Sequence, residues 1–418
     1  MSLVPSLGIF KYQAYKQYWF MRQFNSAGRQ MQAVALGWQV YDLARLNHGI
    51  EESALLLGFI GLAQFLPVLL LSLIGGQAAD RFNRKVILVI TNLVRILLAI
   101  ALIASVYLPT QAALTLIFTT AVFIGVTNAF SPAASSSLFP RLVPRSELQD
   151  AIAWNSLGYQ ISAISGPAIG GIIYIAGPQY VYSTVCVLTM LAAIAIGTAS
   201  TPKHETVKNV RGFEMIIEGL SYVKNNKIVL GAISLDLVVV LFGGVTALLP
   251  VFARDILHVG AEGLGLLRAA PALGAAIVAY ILASKPLTRH IGRSLLISIA
   301  IYGVGTLVFA FSNLLMLSAF ALAVTGAADM ISVYIRQSII QLATPENMRG
   351  RVTSVDFIFI GASNELGEFE SGVAARYLGP VGAVILGGSV AIIAALTWPK
   401  LFPAISKTDR ILEMPAKE

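Results

Sequence analysis

Charge is scarce in this chain. Only 12% of its 418 residues are Asp, Glu, Lys or Arg, about half the share a soluble domain carries, which leaves too little to cover a water-facing surface. Cysteine is scarcer still. Cys186 stands alone, so an intrachain disulfide and any chemistry needing a cysteine pair are excluded. The four histidines, His48, His204, His258 and His290, are far apart and lack metal-ligand spacing, so no metal site is expected. There is no nucleotide-binding glycine loop and no nucleophile with a partnered base, so neither an enzyme nor a cofactor is expected. The N-terminal stretch lacks the basic start, apolar core and cleavage site of a signal peptide, and the first apolar run is expected to remain as a helix.

What the chain has in abundance is apolar sequence. Hydrophobic residues make up 56% and mean hydropathy is +0.77. They fall in long unbroken runs, not in alternating ten-residue segments, so the spans are helices and not barrel strands. At about 20 residues per span plus short loops, the length accommodates about a dozen. Apolar runs and their Gly, Pro and charged punctuation place them at 17–44, 53–78, 86–107, 112–138, 147–175 and 177–199, then at 228–253, 262–284, 294–312, 315–343, 351–377 and 379–402. The expected fold is an all-α membrane protein of twelve transmembrane helices, in two six-helix pseudo-repeat bundles around a central cavity. An N-terminal bundle covers 1–200, a cytoplasmic amphipathic linker 201–227, a C-terminal bundle 228–403 and a cytoplasmic tail 404–418. In the linker, GFEMIIEGLSYV has apolar residues at helical spacing and predicts a short helix along the membrane surface.

The formal charge of +8 would raise nucleic-acid binding in a soluble chain. Here the basic residues sort by side. With the N-terminus inside, 21 of the 29 Lys and Arg fall on the inner side, only Arg45, Arg254 and Arg376 on the outer, and five arginines within spans. Inside-positive bias therefore puts both termini in the cytoplasm, and the scattered inner-loop charges remove the nucleic-acid reading.

The two halves also share spacing. Gly125 pairs with Gly326, Ser131 with Ser332, Ser137 with Ser338 and Pro144 with Pro345, and the same offset carries Gly166 onto Gly367 and Gly171 onto Gly372. A duplicated unit follows, with a substrate site expected between its copies near the midplane.

Residues Gly76–Lys85, GQAADRFNRK, resemble the signature loop of the major facilitator superfamily. Gly76, Asp80, Arg81, Arg84 and Lys85 match, and Asn83 stands where that family usually has glycine, a change that a left-handed backbone would tolerate. A worn copy, LTRHIGRSLL, lies in the second half. The run Gly166-Pro167-Ala168-Ile169-Gly170-Gly171 resembles the antiporter motif found mainly in the superfamily's exporters, with Ser162 in place of its leading glycine. Segments 18–43, 130–157 and 365–379 resemble the bacterial branch that includes the enterobactin exporter and drug–proton antiporters. The resemblance implies efflux of a small organic molecule such as a siderophore or drug, multidrug resistance as one setting, a bacterial inner membrane, and gating roles for Gly76, Asp80, Arg81, Arg84, Gly166, Pro167, Gly170 and Gly171. It also implies that helices one, four, seven and ten line the cavity.

Ionisable groups inside spans are costly and mark function or internal pairs. Arg22, Asn25, Arg29, Gln32 and Gln39 form one polar stripe on the first span. Asn128, Asp236, and Asp329 with Arg336 lie on the other expected cavity helices, while Arg95 and Arg268 lie off them and read as holding helices together. Asp356, Glu365, Glu368 and Glu370 load the eleventh span. Glu365 and Glu368 are one turn apart, so their repulsion suits a proton carrier. The expectation is secondary, proton-coupled antiport, with Asp236, Asp329, Glu365 and Glu368 carrying protons and Asn25, Arg29, Gln32, Asn128 and Arg336 holding cargo, an anionic or catecholate-like one suiting the arginines. The partners expected are the small-molecule substrate, protons and the lipid bilayer, and the protein is expected to be a monomer. An importer or lipid flippase of the same fold, or a non-transporting sensor or scaffold, are the alternatives.

Overall fold

The computed structural model describes residues 7–201, 212–287 and 289–406. The described residues contain helices and short connections and no strand. In chain order the helices are α1 (Gln13–Ala44), α2 (Ile50–Arg81), α3 (Arg84–Ser105), α4 (Thr110–Leu138), α5 (Leu148–Tyr174), α6 (Pro178–Thr198), α7 (Gly212–Asn225), α8 (Lys227–Phe242), α9 (Val245–Val251), α10 (Ala261–Ser284), α11 (Ile291–Phe311), α12 (Leu315–Ala343), α13 (Glu346–Leu401) and α14 (Pro403–Ser406).

Nine stretches among the described residues are long and apolar enough to cross a membrane. The longest, Met348–Leu401, holds two spans, because Gly379 takes φ +74° inside α13, a conformation that only glycine adopts without strain. Helices α1 and α5 have spanning length but are diluted by the polar stripe and by glycine and serine. With them, twelve passes are accounted for. Side chains such as Leu97 and Leu70, at 65% and 64% exposure, point out of the protein, where hydrocarbon replaces water as the surrounding medium.

The chain folds as two compact units, 1–47 with 63–212 and 259–269, and 48–62 with 213–258 and 270–418. In the first unit α1 packs on α5 and α6, and α3 on α4 and α6. The second unit repeats the plan, with α8 and α11 both packed on α13 and α11 also on α12. The glycine pairs show the repeat at atomic scale. A Cβ on Gly125 of α4 would overlap the Gln64 carbonyl oxygen of α2, and one on Gly326 of α12 would overlap that of Pro271 in α10. Gly166 presses on Ala27 and Gln30 of α1, as Gly367 presses on Val240 and Leu241 of α8. Gly171 abuts Ala261 and Gly265, and Gly372 abuts Ala54 and Gly58. Small residues let backbones approach this closely, and in lipid such packing supplies much of the attraction between helices.

Three expectations change. The seventh span, expected to be continuous over 228–253, is broken at Gly243 and Gly244 between α8 and α9. Gly244 is wedged against the Gly367 backbone, and the Tyr302 hydroxyl donates to the Gly243 carbonyl at 3.1 Å. Asn83 is not left-handed. Its φ is −63° and its side chain accepts from the Lys85 amide at 3.0 Å, so it N-caps α3, a task that asparagine performs well. The linker helix does form, as α7, but it docks on protein as well as facing outward. Gly219 sits against the Arg351 backbone, Glu218 pairs with Arg351, and the Tyr222 hydroxyl donates to the Ala343 carbonyl at 2.8 Å, while Ile217 and Leu220 stay exposed. Lys203, Lys208 and Arg211 of the linker, and the tail beyond 406, lie outside the described residues.

Candidate functional site

Spacings of three and four residues put Asn25, Gly28, Arg29 and Gln32 on one face of α1. That face lines a cleft of about 20 Å³ with Arg95 and Leu98 of α3, Ile124 and Asn128 of α4, and Val185 and Thr189 of α6. Such a volume admits about one water. Arg29, half-way along its helix, is exposed to this space, and no hydrogen bond or ion pair joins it to another described residue. Arg95 reaches across from α3, donating through Nε to Thr127 Oγ1 at 3.1 Å and through Nη2 to Asn128 Oδ1 at 2.9 Å.

Arg95, expected to hold helices together, joins α3 to α4 and also lines the cleft, because its long stem reaches past its own helix. Gln39 leaves the polar stripe: it is buried, accepts from the Tyr182 hydroxyl at 2.6 Å and donates to Ser105 at 3.3 Å.

The second unit holds an ionic network. Arg336 of α12 donates through Nη1 to Asp236 Oδ2 of α8 at 2.6 Å and to Asp356 Oδ1 of α13 at 3.3 Å. Gln337 donates to the other Asp356 oxygen at 2.9 Å. All three charged side chains are buried, none more than 7% exposed. Asp329 is two turns before Arg336 and interacts electrostatically with it and with Asp236. Three carboxylates thus share one guanidinium. Arg336, expected to contact cargo, is here buried and paired with two acids.

Along α12 runs an open concavity of about 480 Å³ lined by Met330, Val333, Tyr334, Gln337, Ser338, Gln341 and Leu342. Sequence inspection passes over these residues because they are neutral, yet they recur every three or four positions on one face. Gln337 belongs to both the concavity and the network.

The four expected proton carriers do not form one group. Glu365 lies nine residues beyond Asp356 on α13, about 14 Å along a helix. Glu368 packs over Gly61 of α2, where a Cβ would sit 3.0 Å from its own. Glu365 and Glu368 interact electrostatically, as one-turn spacing requires. Beyond them Arg376 pairs with Glu52 at 2.8 Å, and His48 lies 3.1 Å from the same carboxyl group.

Of the gating residues, Gly166, Gly170 and Gly171 each meet another helix, and the Pro167 carbonyl faces Gly265. Gly76 has open space where a side chain would be. Arg84 is buried and interacts electrostatically with Asp80 and Arg141, whereas Arg81 is exposed. Lys85 Nζ donates to the Ala199 carbonyl at the end of α6 at 2.7 Å. No group of metal-ligating side chains occurs among the described residues.

The chain matches the family described as transmembrane secretion effector over residues 4–414. It is similar to the enterobactin exporter EntS of Citrobacter koseri, 24% identical over 363 residues with 83% of this chain and 84% of that one covered. It is likewise similar to EntS of Shigella dysenteriae, 25% identical over 353 residues with 82% and 80% covered. Among solved structures the fold matches a POT family transporter in complex with a thioalcohol-conjugated peptide, with TM-score 0.71, 14% identity and 94% and 96% covered. A bacterial homologue of the iron transporter ferroportin matches with TM-score 0.70, 14% identity and 96% and 100% covered. A D-xylose–proton symporter matches with TM-score 0.69, 13% identity and 96% and 100% covered. Family and relatives are transporters and not enzymes, and the chain belongs to the transmembrane secretion effector family, a multi-pass membrane transporter of the major facilitator superfamily.

Proposed function

We propose that this protein exports a small organic molecule across a bacterial inner membrane in exchange for protons, as a monomer with both termini in the cytoplasm. The 1–200 and 228–403 bundles act as its two moving halves, joined by the 201–227 linker and followed by the 404–418 tail. The observation that carries the proton reading is the buried pair Asp236 and Asp356 on the single Arg336, with Asp329 interacting electrostatically beside them. Acids in excess of their counter-ion can take up protons without leaving a buried cation bare. A proton on Asp236 weakens its pair with Arg336 and turns the guanidinium toward Asp356, whose other oxygen holds Gln337 in the α12 concavity. Glu365 and Glu368 form a second proton station on α13.

Cargo lies against Asn25, Arg29 and Gln32, with Asn128 anchoring Arg95. Gly76, Asp80, Arg81 and Arg84 latch the inner end of the first unit, and Gly166, Pro167, Gly170 and Gly171 allow close helix contact at the opposite end of α5. The relatives' names make enterobactin the first cargo to test. Everted vesicles carrying the protein should accumulate it when the interior is made acid, and D236N should abolish the pH-driven component. Accumulation indifferent to the gradient would overturn antiport.

A further inference from the structure

The first unit presents positive charge to its cleft with no acid to match it. Its Asp and Glu residues are Asp42, Asp80, Glu147, Asp150, Glu205 and Glu262. All but Glu205, which falls outside the described residues, lie at or near helix ends. None lines the cleft, where Arg29 and Arg95 interact as like charges. Arg95 meets only neutral oxygens, on Thr127 and Asn128, and Arg29 has no hydrogen-bonded partner among the described residues. A guanidinium that serves only to hold helices together would be expected to find a carboxylate or a set of carbonyls, as Arg336 does. Two uncompensated cations side by side repel each other, the more so the less water surrounds them. The cheapest relief is an anion between them.

We propose that the α1–α3–α4 cleft is an anion-binding site that takes the carboxylate or phosphate head of an organic cargo. Arg29 and Arg95 form the charged clamp, the amides of Asn25 and Gln32 offer neutral donors, and Leu98, Ile124 and Val185 provide an apolar wall. A planar anion suits guanidinium forks, which donate in pairs to two oxygens. The small volume leaves the organic body outside it. This inference rests on the transport reading for its physiological ligand, but its test needs no gradient.

Purified full-length protein in nanodiscs of zwitterionic lipid would be titrated with benzoate, 1-naphthoate, phenyl phosphate and the corresponding neutral amides, with thermal unfolding as the readout. The anions should raise the midpoint in a saturable way and the amides should not. R29Q and R95Q should each weaken apparent affinity at least tenfold, R29K and R95K should retain part of it, and the inner-loop control R145Q should match wild type. The lysine variants also serve if a glutamine variant fails to fold. Equal effects of amides and anions, no effect of any probe, or unchanged affinity in R29Q and R95Q would overturn the site. Stabilisation by added phosphatidylglycerol, lost in R29Q, with none from the soluble anions, would overturn the cargo assignment in favour of a lipid. The vesicle experiment could fail while this one succeeds, so the two readings fall separately.

Discussion

The two units are built alike and charged oppositely. Helix order, pairwise packing and the glycine contacts recur from one to the other, yet the first presents two guanidiniums and no interior acid, and the second gathers three carboxylates around one arginine. Close backbone contact leaves no room for a side chain, so those positions tolerate only glycine. Cavity-facing positions have no such constraint and are free to diverge. Under the function proposed above, the first copy offers the cations that would meet cargo and the second the acids that would meet protons.

The contrast is broken most directly at its arginines. R336Q leaves Asp236 and Asp356 buried without a counter-ion, and its unfolding midpoint should fall steeply, by an amount corresponding to about 3–5 kcal/mol. R29Q removes an unpaired cation and should leave the midpoint unchanged or higher. Equal losses in both would erase the distinction. The shared scaffold is probed by G125V and G326V, each of which drives a side chain into a neighbouring backbone. Both should lose about 1–3 kcal/mol, and a large difference between them in thermal unfolding would deny their equivalence.

Function and stability separate at the second proton station. The double variant E365Q/E368Q should lose pH-driven accumulation in vesicles while its midpoint moves little, and full coupled transport would remove both residues from the mechanism. Helix caps offer a finer comparison, since Asn83 caps α3 in one unit and Asn226 caps α8 in the other. Alanine at either should cost about 1 kcal/mol, and glycine at Asn83 only a few tenths, as read by thermal unfolding.

The smallest effect lies just before α1. Lys11 donates to Glu147 at 2.8 Å, a hydrogen bond that holds the Glu147 pKa below its ordinary 4.5, with Tyr12 donating to the same oxygen. A depressed carboxyl pKa stabilises the fold above the unfolded value and loses that contribution as pH falls through the folded one. Hydrogen-exchange protection at residues 7–12, corrected for the intrinsic rate, should therefore fall below about pH 4.5 in wild type and be lower in K11A above that pH, the two converging below it.

Much of this was legible in advance. Helices were readable because a span must be apolar over its whole length, and the glycine offsets were readable because glycine is the only residue that fits a backbone contact. Breaks inside apolar runs were not, since Gly243–Gly244 and Gly379 resemble any other glycine in a membrane helix until a partner surface is present. Charges were easy to find and hard to assign. Arg336 and Arg29 look alike as letters, and only the meeting of α8, α12 and α13 shows that one of them is already neutralised. Counting helices does not show that Arg95, which ties α3 to α4, also lines a cleft, and the α12 concavity escapes because neutral side chains carry no hydropathy signal.

Helices α2 and α10 each begin in one unit and end in the other, changing membership after Leu62 and after Ala269. Both carry a proline just past that point, Pro67 in α2 and Pro271 in α10. A proline interrupts the hydrogen-bond ladder and lets a helix bend there at little added cost. Each of these helices therefore carries its softest point inside its own length, and alanine at Pro67 or Pro271 would restore the missing backbone donor and stiffen it there.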